Sequence, residues 1–153
     1  MNTLHRTYFL TIGLLLFVGI FYVTHYIWWH TVLFIIGLVL GLVLMVGDEK
    51  IGWKYYQEVN QTTHLITRSL LFILAFIPLQ VFVVTSTGSY VGVGMVLSIG
   101  LVLLTELWLV RHTPVLEQRF LWQLKRPLTV TDTNRLLYVF TGIYSVLTIL
   151  SLM

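Results

Sequence analysis

The chain has no cysteine. That excludes disulfides, thiol catalysis, iron–sulfur clusters and Cys-based zinc sites. Charge is scarce as well: Asp, Glu, Lys and Arg make up 10% of the 153 residues, where soluble domains carry roughly 25%. Proline occurs three times, so few apolar stretches are interrupted. Neither a GxSxG elbow, an HExxH pair nor a P-loop occurs, and no membrane Ser or Asp is set against a His in a matching leaflet. An enzyme is therefore not expected. No two histidines lie at mid-helix positions suited to bis-imidazole haem ligation. His25 and His30 flank a turn, but they bring no third ligand. No metal and no cofactor is expected.

What remains is 58% hydrophobic, with 14% aromatic residues. A membrane-crossing helix needs about 20 mostly apolar residues. Five stretches meet that length, at about 8–26, 29–46, 66–85, 90–110 and 136–153. The spacing predicts an all-α polytopic membrane bundle forming one transmembrane domain. The first stretch follows Arg6 as a signal peptide would. However, Thr24-His25-Tyr26 is no small-residue cleavage site and a second stretch follows at once, so a retained helix is expected.

All nine basic residues fall on one side of this ladder. Arg6 precedes the first stretch, Lys50 and Lys54 lie between the second and third with Arg68 at the entry to the third, and five more lie between the fourth and fifth. The connections at 25–30 and 86–89 carry none. Positive charge is retained in short cytoplasmic loops, so the expected topology has the N-terminus inside and the C-terminus outside, in the cell (inner or plasma) membrane. The net charge of +3 then reports orientation and attraction to anionic lipid, and no nucleic-acid partner is expected. Trp28 and Trp29 are the expected outer interfacial anchors, and Trp108 and Trp122 the inner ones. Asn60-Gln61-Thr62 has the form of a glycosylation sequon but falls in an inner loop.

Between Thr113-Pro114 and Pro127, Leu116, Phe120 and Leu124 recur at i, i+4 and i+8 among polar residues. The spacing predicts a short amphipathic interfacial helix over about 114–126. Thr131 or Asp132 is the expected cap of the last span. The string Ile36-Gly37-Leu38-Val39-Leu40 recurs as Ile99-Gly100-Leu101-Val102-Leu103. In so Leu- and Val-rich a chain, that is thin ground for an internal duplication.

Chemistry-bearing residues are few. Glu106 is the one acidic residue inside a predicted span, and Arg68 enters the third span in the same leaflet. A carboxylate in hydrocarbon must be paired, protonated or facing a cavity. Arg111 is five residues from Glu106, a poor facing distance on a helix, so Arg68 is its expected partner. The pair has two readings: a salt bridge that fixes helix register, or an ion or proton site. Gln80, two residues after Pro78, marks a helix kink or a polar lining. Gly37 with Gly41, and Gly94 with Ser98, form small-xxx-small pairs for close helix packing, within one bundle or between two copies.

Tyr90-Val91-Gly92-Val93-Gly94-Met95-Val96-Leu97 resembles the Tyr-x-Gly-Ala-x-Met-Val-Leu helix of the five-span subunit of respiratory complex I. The likeness covers eight residues in the fourth span, where that family carries it in the third. None of the family's other surroundings accompany it, and it assigns nothing.

Two functions fit. One is a small accessory or structural subunit working through helix packing, with membrane lipids and a protein partner or a second copy as its contacts. The alternative is a compact homo-oligomeric transporter or channel using Glu106 and Arg68.

Overall fold

The structure, a computed structural model, describes residues 3–56, 66–86, 88–111, 113, 120–121 and 129–152. Its α-helices are α1 (Thr3–His25), α2 (Trp28–Tyr56), α3 (Leu70–Ser86), α4 (Tyr90–Val110) and α5 (Val130–Leu152), with a 3-10 turn at Ile66–Arg68. The described residues contain no strand. The protein is an all-helical membrane-type bundle.

The α4 bounds match the fourth apolar stretch, and the other helices depart from theirs for local reasons. Hydropathy marks the apolar slab, while helix ends follow hydrogen bonds. Thus α1 begins five residues early, at Thr3, and carries Arg6 as a helical residue. Helix α2 runs on to Tyr56. Past Val46 its polar turn is held from outside the helix, where Asp48 Oδ2 accepts from Thr67 N at 3.1 Å and from the Thr67 hydroxyl. Helix α3 begins at Leu70 instead of 66, after the 3-10 turn, with Ser69 Oγ accepting from Phe72 N at 3.1 Å. The cap expected at Thr131 or Asp132 is Thr129. Its Oγ1 accepts from Asp132 N at 3.2 Å and donates to Asp132 Oδ2 at 2.6 Å, which starts α5 at Val130 instead of 136.

Four helices are long and apolar enough to cross a membrane, and α3 is a shorter apolar helix. Its 17 residues extend about 25 Å at 1.5 Å per residue. Helix α3 runs unbroken through Pro78, which is exposed.

Helix α4 is the hub: 72% of its apolar window is buried, against 6% for α1. A helix apolar on all sides suits such a position. Its neighbours reach it because it is narrow where they cross. A Cβ on Gly94 would lie 3.0 Å from Leu38 N, and one on Gly37 would lie 3.0 Å from Met95 N and closer still to the Val91 carbonyl. Gly41 meets Ser98 at the same crossing. The small-xxx-small pairs of α2 and α4 therefore face each other within one chain. On the α5 side, the Tyr144 ring packs against Gly100 and its hydroxyl donates to the Leu97 carbonyl at 2.7 Å. The repeated glycines Gly37 and Gly100 thus serve different partners.

Tight turns close one end of the bundle. Tyr26 takes φ 49° between α1 and α2, and Gly88 takes φ 54° before α4. Ser89 then caps α4, its side chain accepting from Gly92 N at 3.2 Å. The predicted helix at 114–126 lies outside the described residues except at Phe120 and Leu121. Both stand in a turn and are buried in the core with Val110 and Leu107.

Candidate functional site: a sealed arginine–glutamate cluster

Four elements bring one charge each to the end of the bundle opposite the tight turns. Arg6 comes from the second turn of α1, Glu49 from the late part of α2, Arg68 from the end of the 3-10 turn and Glu106 from α4. The Asp48–Thr67 clip holds the 3-10 turn against α2, so Arg68 is delivered from a fixed base.

Arg68 grips Glu106 with two prongs, Nε to Oε2 at 2.5 Å and Nη2 to Oε1 at 2.8 Å. Such a fork is the strongest common geometry for an arginine–carboxylate pair. Arg6 Nη2 approaches Glu106 Oε1 at 2.5 Å from the other side. Glu49 Oε2 lies 3.3 Å from Arg68 and 3.6 Å from Arg6. The cluster is a quartet of two cations and two anions, and the Asp48 carboxylate acts on Arg68 as well.

Burial grades across it. The Arg68 and Glu106 side chains are 0% and 1% exposed, whereas Arg6 and Glu49 reach 20% and 27%. Water therefore reaches the rim pair and not the central one. Arg68 Nη1 is buried without a hydrogen-bond partner, the single unsatisfied atom of the fork. What this arrangement does chemically is lock four elements together at one end.

The structure brings together Glu106 and Arg68, as the sequence predicts, and adds Arg6 and Glu49. Arg6 and Glu49, both outside the predicted spans, are further partners of opposite charge for the pair. Arg6 stands outside the apolar window, where the sequence marks only orientation, yet α1 begins early enough to carry it into the cluster. A charged residue one helical turn outside a span is the signal that would have found it.

The other candidates are dispersed. Gln80 is 1% exposed, and its Nε2 has no hydrogen-bond partner, while Pro78 faces out. Trp28 and Trp29 are exposed beside the α1–α2 turn. Trp108 donates from Nε1 to Thr141 Oγ1 at 3.0 Å, and the Arg111 guanidinium sits 4.5 Å from its ring centre. Trp122 lies outside the described residues. At the turn end, His30 stacks on Tyr90 at 4.2 Å and His25 on Phe21 at 4.1 Å. Among the described residues no group of three or more potential metal ligands forms.

Compared with known proteins, the chain matches no family model, no curated protein and no solved structure. The eight-residue likeness to a complex I helix has no family match behind it.

Proposed function

We propose that the protein is a multi-pass accessory or structural subunit of the cell membrane, acting by helix packing against a protein partner and lipid. The observation that carries this reading is the sealing of Glu106 by Arg68 and Arg6. On this reading the acid, 1% exposed and ion-paired to both arginines, holds the bundle together. The outer surface supports the same reading. Helix α1 leaves Phe9, Ile12, Leu15, Leu16, Ile20 and Val23 exposed, an apolar face broad enough to serve a partner.

Native mass spectrometry of the gently solubilised protein tests this. A defined complex is expected, lost on Leu16→Arg while the thermal stability of the isolated chain is unchanged. A lipid-only monomer would sink the proposal. Proton or ion flux in liposomes that Glu106→Gln abolishes would transfer the assignment to the transporter alternative.

We further propose five crossings, with the N-terminus inside. Arg68, just before α3, shares its end of the bundle with the start of α1 and the late turns of α2 and α4. Tyr90, just after α3, stacks on His30 and meets His25 edge-on at the other. The segment from Arg68 through α3 to Tyr90 therefore runs from one end of the bundle to the other, which supports counting α3 as a crossing. A reporter active only outside the membrane should be active when fused after Met153 and silent when inserted at Gln61. The reverse pattern excludes this topology.

A further inference from the structure

We propose that a groove between α1 and α4 binds one molecule of an anionic phospholipid, its phosphate on Arg111 and an acyl chain along the apolar wall. The groove is a cavity of about 360 Å³ lined by Phe9, Leu104, Thr105, Trp108, Leu109 and Arg111, within the range of built ligand sites. Leu104, Trp108 and Arg111 recur at i, i+4 and i+7, so they form one stripe of α4. The stripe runs about 10 Å along the helix, apolar at one end and cationic at the other.

Charge complementarity decides the occupant. Arg111 is paired with no carboxylate among the described residues. Instead its guanidinium lies over Trp108 at 4.5 Å. That stacking engages the flat face and leaves the N–H edge without a hydrogen-bond partner among the described residues, and this is the edge that grips a phosphate. Trp108 is itself tied to α5 through Thr141, so the cation is held at the mouth of the groove in advance of binding. A zwitterionic lipid offers the same phosphate but brings its own ammonium to Arg111, which weakens the contact. The site differs in residues from the quartet, and it stands or falls independently of the accessory-subunit reading.

The test uses the full chain in a neutral detergent, with phosphatidylglycerol and phosphatidylcholine of matched acyl chains, and adduct retention read by native mass spectrometry. Phosphatidylglycerol should bind about tenfold more tightly, the scale of one charge-assisted hydrogen bond. Arg111→Gln should abolish that preference, while Lys50→Gln, at an exposed basic residue outside the groove, should preserve it. Leu109→Trp, which fills the groove and keeps the cation, should weaken both lipids. Soluble glycerol phosphate should not bind measurably. Equal retention of the two lipids, an equal effect of Lys50→Gln, or tight binding of glycerol phosphate would each overturn the proposal.

Discussion

Glu106→Gln should lower stability in detergent by about 3–5 kcal/mol, the loss that follows when one partner of a buried ion pair is removed. It should be the most damaging single change in the quartet. Glu106 answers both arginines, and without it the fully buried Arg68 keeps, among the described residues, an ion pair with Glu49 at 3.3 Å and the more distant Asp48. Arg68→Gln should cost less, because Glu106 retains Arg6 and an unsatisfied guanidinium nitrogen disappears with the side chain. Arg6→Gln should cost least, since its side chain is 20% exposed and a rim pair contributes about 1 kcal/mol or less. The double variant Glu106→Gln/Arg68→Gln should recover part of the Glu106→Gln loss, because it removes the stranded charge as well. Thermal unfolding of the four variants decides this. If Arg68→Gln proves worse than Glu106→Gln, the central role belongs to the arginine and the ordering argument fails.

The central pair was legible because charge inside an apolar stretch is rare and Arg68 was the near candidate in the same leaflet. The rim was not, for two related reasons. Arg6 and Glu49 stand outside the apolar windows, and hydropathy gives no sign that the helix continues through them. Yet α1 starts at Thr3 and α2 persists to Tyr56, so both side chains reach inward along helical backbone. The start of α3 was misplaced for the same kind of reason. Ile66 is apolar enough to open a span, but Ser69 caps a helix that begins one residue later. The small residues Gly37, Gly41, Gly94 and Ser98 announced close packing without naming the partner. Periodicity places residues on a face and is silent about which helix that face meets.

That meeting carries the second large effect. Gly37→Ala and Gly94→Ala should each destabilise the bundle by about 1–3 kcal/mol, the range for overpacking a filled core. At both positions the new methyl runs into backbone of the opposing helix, the Val91 carbonyl and Met95 N in one case and the Phe34 carbonyl and Leu38 N in the other. Backbone cannot rotate aside, so α2 and α4 must part. Gly13→Ala should cost much less, since the methyl there meets only the flexible tip of Leu101. Gly142→Ala should be neutral or slightly stabilising, because its Cβ would have open space and alanine is the better helix former by up to about 1 kcal/mol. The positions also couple. Gly94 and Gly37 face each other across one crossing, a Cβ on the first lying 3.2 Å from the Cα of the second. Once one methyl has separated the helices, the second finds part of its room already made, so the double variant should lose less than the sum of the two. Thermal melts of the single and double variants measure this coupling. Strict additivity would mean that each methyl is absorbed locally and that the crossing is looser than its backbone distances imply.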